Sequence, residues 1–313
     1  MRSSAIAALA VFAALITGIA AAQSVRDRVV EHVNRGAGFA EREEYDHAIA
    51  EFDAAIKLDA NEAVAFANRG IAYREKGELE KALADLTESA RLRPAQSSTF
   101  YHRGKSYDAM GDLPRAIADF GEAIRLDPNA ARNYVNRGDA LRRSGKFDEA
   151  IADFSQAIRR DAASVNFYAR GRAQDEKGDH RAAIADYGEA IRVNPSNIAA
   201  LLARGNAYRA QRAYDPAIAD FDQVIKVNAN HAAAFTFRCA ARLALNRLPE
   251  AGEDCEQALK LKPSRRVAAT AQYGRGIVKQ RSGDAAGGQA DLAAAKKLYA
   301  RVAEEAAKAG FAP

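Results

Sequence analysis

Arginine–carboxylate pairs at a fixed spacing are the most regular polar feature of this 313-residue sequence. Eight arginines recur at intervals of 33 to 37 residues, and each is followed by an acidic residue 16 positions later. The pairs are Arg35 and Glu51, Arg69 and Asp85, Arg103 and Asp119, Arg137 and Asp153, Arg170 and Asp186, Arg204 and Asp220, Arg238 and Asp254, and Arg275 and Asp291. They could form a row of charges for a ligand or ion pairs between two packed helices. We favour ion pairs, because partly buried Arg–carboxylate pairs tend to fix how helices fit together.

The two cysteines and five histidines are the other residues able to bind metals or react. Cys239 and Cys255 are both expected between packed helices, offset by about one turn, which favours two thiols over a disulfide. We therefore expect two buried thiols, although an oxidising compartment would permit a bridge. The histidines are scattered without the spacing of metal ligands, and we expect them at the surface. No phosphate loop, nucleophile elbow or zinc-binding helix motif occurs. The sequence thus predicts no active site, no cofactor and no metal.

Composition narrows the possible partners. The chain is 48% apolar and 28% charged, which favours a folded protein over a disordered one. Its 46 basic and 41 acidic residues are interspersed rather than clustered. A nucleic-acid groove needs clustered Lys and Arg with stacking aromatics, so we expect no nucleic-acid partner.

The anchor arginines belong to a repeat of two helices. In the third unit Arg103 is followed by Gly104, and Ala116 and Phe120 stand 12 and 16 residues after that glycine. A spacing of four places Ala116 and Phe120 on one helical face. Pro114 lies in the opening turn of the second helix, where its missing N–H has no cost. The residues expected to end the first helices in a left-handed conformation are Gly77, Gly111, Gly145, Gly178, Asn246 and Gly283.

This pattern resembles the tetratricopeptide repeat. The third unit matches its signature at Gly104, Tyr107, Ala116, Phe120, Ala123 and Pro128. The resemblance implies an all-α, right-handed superhelical solenoid of about eight helix–turn–helix repeats with a C-terminal capping helix. We expect a short N-terminal segment at residues 23–28, eight repeats over residues 29–302, and a cap and tail at residues 303–313. Lys296 to Lys308 is expected to continue as one charged, alanine-rich helix.

The resemblance also implies a binding surface, because in this family the first helices line a concave groove. The residues it places there are Asn34, Asn68, Tyr101, Lys105, Arg132, Asn136, Asp139, Arg142, Arg143, Tyr168, Arg172, Asn206 and Tyr273. The four asparagines would hold the backbone of an extended peptide. The alternative is that they are ordinary surface residues of the helices. The mixture of charge and tyrosine is typical of adaptable interfaces.

The first 22 residues have the pattern of a Sec-type signal peptide. Arg2 supplies a positive start, an apolar run extends from Ala5 to Ile19, and small residues precede Gln23. An uncleaved membrane anchor is the alternative. After cleavage near Gln23 no later stretch is apolar enough to span a membrane. We therefore predict a bacterial protein that is periplasmic or secreted.

Taken together, these features predict a non-enzymatic scaffold that binds a protein or peptide in its groove. Fewer than twenty residues are expected outside the repeats at either end of the mature chain, too few for a catalytic domain. Two alternatives stay open: a structural array that associates with copies of itself, and an accessory subunit of an envelope complex.

Overall fold

The computed structural model describes residues 23–308 and Phe311. Over this part of the chain the regular secondary structure is entirely helical, which confirms the all-α prediction. The predicted signal peptide, residues 1–22, lies outside the described residues. Among the described helices, none combines the length and the hydrophobicity that crossing a membrane requires.

The chain divides into two compact units between Lys146 and Phe147. The helices described in unit 1 are α1 (residues 23–41), α2 (Tyr45–Leu58), α3 (Ala63–Glu75), α4 (Leu79–Leu92), α5 (Ser97–Ala109), α6 (Leu113–Leu126) and α7 (Ala131–Arg143). Helix α3 packs on α4 and α5 packs on α6, while α3, α5 and α7 contact one another in succession. Unit 1 is therefore a stack of helical hairpins whose first helices lie side by side.

Unit 2 is built in the same way. Its described helices are α8 (Phe147–Arg160), α9 (Ser164–Lys177), α10 (His180–Val193), α11 (Ile198–Ala210), α12 (Tyr214–Val227), α13 (Ala232–Ala244), α14 (Leu248–Lys260), α15 (Arg265–Arg281), α16 (Ala285–Leu298) and α17 (Val302–Lys308). The hairpins are α9 with α10, α11 with α12, α13 with α14, and α15 with α16. The first helices α9, α11, α13 and α15 contact one another in succession.

Left-handed residues end the first helices of the hairpins. Gly111 has a φ of 79° and Asn246 a φ of 56°, as predicted. Glu43 and Arg212 take the same place in the first and sixth repeats, with φ values of 62° and 60°. A left-handed residue was not predicted at either position, because glutamate and arginine rarely adopt this conformation. The repeat geometry is thus imposed there against local preference.

The two helices of a hairpin approach closely where a glycine faces a bulky residue. A Cβ atom added to Gly104 would lie 2.9 Å from Cε1 of Phe120, and one added to Gly171 would lie 2.7 Å from Cε1 of Tyr187. The corresponding pairs are Gly36 with Phe52, Gly70 with Leu86, and Gly205 with Phe221. The bulky side chains are fully buried. Burial of these bulky side chains against glycine supplies much of the hydrophobic stabilisation of each hairpin.

The predicted arginine–acid pairs form in the seven repeats whose two partners belong to the same unit. Arg103 is representative, since its Nε and Nη2 atoms donate to the two carboxylate oxygens of Asp119 at 2.8 Å each. Asp119 is buried and Arg103 is partly buried. A charge pair in this position is removed from competing water, which makes the fork-shaped hydrogen bonding stronger than that of an exposed pair.

Several anchor arginines also reach back to the preceding repeat. Arg69 Nη1 donates to Asp53 at 2.5 Å, Arg238 Nη1 donates to Asp222 at 2.5 Å, and Arg170 Nη1 donates to Ser155 Oγ at 3.0 Å. Each of these arginines therefore ties its own hairpin to the helix that precedes it in the chain. This arrangement supports ion pairs that hold the repeats together rather than a row of charges for a ligand.

The expectation of two free thiols is wrong. Cys239 on α13 and Cys255 on α14 form a disulfide, with Cα atoms 5.7 Å apart, and both residues are fully buried. The two positions are not offset by a turn. They face each other as Gly205 and Phe221 do in the preceding repeat, at a Cα separation that suits a disulfide.

The C-terminal end also differs in detail from the prediction. Lys296 to Lys308 is not one helix: α16 ends at Leu298, Tyr299 is extended, and α17 begins at Val302. The break turns α17 back onto α15, which it contacts. Val302, Ala306 and Phe311 are buried there, and Phe311 packs against Gly274. A capping helix therefore covers the last repeat, as expected for a solenoid end that would otherwise expose its core.

Candidate protein-binding surface

In unit 1 most of the predicted binding residues lie on three neighbouring first helices. Asn68 is on α3, Tyr101 and Lys105 are on α5, and the α7 residues are Arg132, Asn136, Asp139, Arg142 and Arg143. Asn34 is exposed on α1. Because α3, α5 and α7 contact one another, they can present these side chains as one surface. We call the surface carried by α3, α5 and α7 the unit 1 surface.

An arginine–tyrosine stack joins two helices of the unit 1 surface. The guanidinium carbon of Arg132 lies 4.9 Å from the ring centroid of Tyr101. Arg132 is exposed and Tyr101 is partly buried. A guanidinium held over an aromatic face keeps its hydrogen-bond donors free in its own plane for a partner. The stack thus holds both residues in a fixed position at the surface.

The other α7 residues are bound largely to one another and to α5. The Asn136 amide donates to the Arg132 carbonyl at 2.7 Å, Arg142 Nη2 donates to Asp139 at 2.8 Å, and Arg143 pairs with Asp108. These contacts balance charge within the chain. A partner would meet a patterned surface of both signs rather than a strongly basic one, which favours specificity over long-range attraction.

Arg74 and His102 also lie on the helices of the unit 1 surface, although neither was predicted there from the sequence. Arg74 Nη1 donates to His102 Nδ1 at 3.0 Å, which joins α3 to α5. Burial, followed by the charges of Arg74 and Arg132, lowers the pKa of His102 to about 4. His102 is therefore neutral at physiological pH and is not a simple surface histidine. Arg74 stands five residues after an anchor arginine, as Arg142 does, so the repeat register could have identified it.

The four predicted amides do not form one row. Asn34, Asn68 and Asn136 each precede an anchor arginine by one residue, whereas Asn206 follows Arg204 by two. Asn206 Oδ1 is enclosed and accepts no hydrogen bond from any described residue. A shared role in holding a peptide backbone stays a prediction for Asn34, Asn68 and Asn136. Asn206 stands about one turn further along its helix than the other three, on the same face, and its role in binding likewise stays a prediction.

In unit 2 the predicted residues Tyr168 and Arg172 lie together on α9. The Arg172 guanidinium carbon is 5.9 Å from the Tyr168 ring centroid, and Arg172 Nη2 donates to Glu176 at 3.3 Å. Tyr168 packs against the buried Tyr187, with ring centroids 5.9 Å apart. This group repeats the mixture of tyrosine and charge found in unit 1.

Tyr273, which was predicted to line the groove, is buried in the structure. It is only 7% exposed and lies in the core cluster of the last repeats, with Cys239, Ile277 and Phe311. The position matches that of Tyr101 in the third repeat, but here α17 packs on α15 and closes it.

Unit 2 also contains a cavity that the sequence did not indicate. It has a volume of about 550 Å³ and is lined by residues of α11, α13, α15 and α17. The lining residues are Arg209, Ala233, Thr236, Phe237, Arg266, Val267, Thr270 and Glu305. Its size is in the range of sites that take small ligands or a few residues of a peptide. Arg209, like Arg74, stands five residues after an anchor arginine.

The described residues contain no group of three His, Cys, Asp or Glu side chains that could hold a metal ion. The histidines are engaged singly instead: His32 with Glu51 at 2.6 Å and His180 with Asp175 at 2.6 Å. His231 Nδ1 accepts from the Ala234 N–H at the start of α13. Each of these contacts ties a histidine to another residue of the chain.

Comparison with known families identifies the repeat. One family model of the tetratricopeptide repeat matches residues 101–165, 168–224 and 202–266, and a second family model of the same repeat matches residues 63–96. The matches span more than half of the chain, so the chain belongs to the tetratricopeptide repeat family. Proteins with this fold are generally protein-interaction scaffolds and are typically not enzymes. No protein of curated function matches the sequence significantly.

Solved structures agree on the fold. A tetratricopeptide repeat protein from Parabacteroides merdae is 17% identical, with a TM-score of 0.58 over 79% of this chain and 98% of that chain. PilF from Pseudomonas aeruginosa is 15% identical, with a TM-score of 0.57 over 66% of this chain and 94% of that chain. A MamA structure is 25% identical, with a TM-score of 0.50 over 51% of this chain and 94% of that chain. These likenesses show a shared fold of stacked hairpins.

Proposed function

We propose that this chain is an exported, non-enzymatic scaffold that holds a protein or peptide partner on the first helices of its repeats. The observation that carries the proposal is the stack of Arg132 on Tyr101, an exposed arginine fixed over a tyrosine where two first helices meet. Arginine and tyrosine are, with tryptophan, the residue types enriched among the residues that dominate the energy of protein interfaces. Family membership supports the same role.

Export is supported by the signal-peptide pattern of residues 1–22 and by the disulfide of Cys239 and Cys255, since disulfides persist in oxidising compartments. We propose a periplasmic or secreted location. N-terminal sequencing of the protein from a fractionated native host tests this part of the proposal. A mature chain in the periplasm or medium that begins near Gln23 is the expected result, whereas an intact Met1 on cytoplasmic protein would contradict export.

Partner capture tests the binding role. The mature chain is used as bait in an envelope extract of the native host, beside the variants Arg132→Ala and Tyr101→Ala. Arg115→Ala is the matched control, because Arg115 also stacks on a tyrosine, Tyr107, at 5.5 Å, but lies on the second helix of its hairpin. We expect a partner that is retained by the wild type and by Arg115→Ala and lost by the other two variants.

Two results would contradict the proposal. Recovery of the same partner by all four baits would show that the unit 1 surface is not the site. Recovery of nothing but copies of the chain itself would favour the self-associating array. The covered C-terminal end, where Phe311 is 1% exposed, argues against an array that stacks through that end.

A further inference from the structure

The cavity of unit 2 combines an apolar wall with cationic groups. Ala233 and Phe237 of α13 and Val267 of α15 contribute apolar surface. Arg209 of α11 enters from one side, with its guanidinium carbon 5.1 Å from the Phe237 ring centroid. The cavity is open rather than enclosed, and its four helices belong to one unit. It therefore offers a partner both a hydrophobic contact and a positive charge.

Arg209 keeps its charge in this setting. Burial lowers the pKa of Arg209 to about 10, which still leaves the guanidinium protonated at neutral pH. A positive charge beside an apolar wall interacts more strongly with an anion than it would in bulk water, because the surroundings screen it less. The most favourable occupant of this part of the cavity is therefore a negatively charged group.

A carboxylate of the chain itself already occupies the rim. Arg266 Nε donates to Glu305 Oε2 at 2.7 Å, which places an acidic side chain of α17 against the cavity. Glu305 also accepts from the Tyr299 hydroxyl at 2.6 Å. The pair shows that the geometry of this rim suits a carboxylate, and Glu305 would compete with any incoming acid for Arg266.

We infer that the cavity receives an acidic side chain of an extended peptide, with a bulky apolar residue beside it. The carboxylate would lie against Arg209 and the apolar residue against Phe237 and Val267. This inference rests on the proposed function and names the chemistry of the partner. Helix α17 would then modulate binding through Glu305. When Arg266 is released from Glu305, its guanidinium can contact the ligand in addition to Arg209.

The test uses the mature chain and a bead library of random heptapeptides that are amidated at the C terminus, so that side chains supply the only carboxylates. We expect the wild type to select peptides with Asp or Glu next to Phe, Tyr, Leu or Ile. For one selected peptide, fluorescence anisotropy should show at least about tenfold weaker binding by Arg209→Gln. The analogue with glutamine in place of the acid should lose affinity for the wild type to a similar degree.

Two further variants sharpen the test. Arg192→Gln is the matched control, because Arg192 is an exposed arginine of α10 outside the cavity lining; it should bind like the wild type. Glu305→Gln should bind several-fold more tightly, since it releases Arg266. Thermal melting of each variant confirms that it is folded.

Selection of peptides without an acid, equal affinity of Arg209→Gln and the wild type, or no selection at all would overturn the inference. Binding that depends on a free C-terminal carboxylate, found by repeating the selection without amidation, would also overturn the assignment to an internal side chain. The proposed function is tested independently of the cavity. If a native partner is captured by the wild type and lost with Tyr101→Ala, the scaffold role is supported even when the cavity binds no peptide.

Discussion

Cys239 and Cys255 face each other across the seventh hairpin, with Cα atoms 5.7 Å apart, in the positions that Gly205 and Phe221 hold in the sixth. Elsewhere the fit of a bulky side chain against a glycine holds the two helices together at this point. In the seventh repeat a covalent bond takes over that role. The disulfide thus lies at the contact that defines the hairpin and is buried from solvent.

Removal of the disulfide should destabilise the protein. A bridge that closes a loop of 16 residues stabilises by about 3 kcal/mol, mainly through the unfolded chain. We expect Cys239→Ala/Cys255→Ala to lower the free energy of unfolding by roughly that amount, measured by urea unfolding. Reductant should destabilise the wild type and leave the double variant unchanged. An intact mass that shows two free thiols in protein purified without reductant would contradict the bridge.

Two glycines of the fifth hairpin should respond to alanine in opposite directions. A Cβ on Gly171 would lie 2.7 Å from Cε1 of Tyr187, so Gly171→Ala should destabilise by about 1–3 kcal/mol through overpacking. A Cβ on Gly188 would meet only Arg204 Nη1 at 3.5 Å, so Gly188→Ala should stabilise by up to about 1 kcal/mol through helix propensity. Chemical denaturation of the two variants makes the comparison. Effects of the same sign would show that close helix contact is not the reason for glycine at position 171.

Loss of a buried anchor arginine should cost more than loss of an exposed one. Arg103→Ala leaves the buried Asp119 without its bidentate partner and should lower the free energy of unfolding by about 2 kcal/mol. Arg115 is 70% exposed and pairs with Asp112, so Arg115→Ala should change stability by less than about 0.5 kcal/mol. Equal melting temperatures for the two variants would show that the Arg103–Asp119 pair does not stabilise the fold.

The protein should lose stability in weak acid through His102. The unfolded chain protonates this residue near its ordinary pKa of 6.5, whereas the folded chain does so only at about 4. Between these values the unfolded state binds more protons, so the free energy of unfolding falls as pH decreases, by roughly 1–3 kcal/mol in all.

The variant His102→Gln isolates this contribution, because glutamine can still accept a hydrogen bond from Arg74 but does not titrate. We expect unfolding in urea at about pH 7 and about pH 4.5 to show a smaller loss of stability for the variant than for the wild type. The same pH dependence in both proteins would place the titrating group elsewhere.

The repeat and its internal order could be predicted from the sequence because they depend on spacing. Gly104, Ala116 and Phe120 recur at intervals set by the helix period and by the length of one hairpin, and the same intervals paired Arg103 with Asp119 correctly. Local chemistry was also sufficient at Gly111 and Asn246, where the helix ends require a left-handed residue.

Which residues meet depends on how the helices pack in three dimensions. Cys239 and Cys255 were placed a turn apart because the relative height of two antiparallel helices depends on how their side chains interlock, which a single sequence does not state. Tyr273 was placed at the surface because its register matches open positions elsewhere, but α17 folds back and buries it. The cavity around Arg209 and Phe237 arises from four helices at once. Spacing along the chain determines what each helix carries, whereas contacts between helices determine what is buried, bonded or available to a partner.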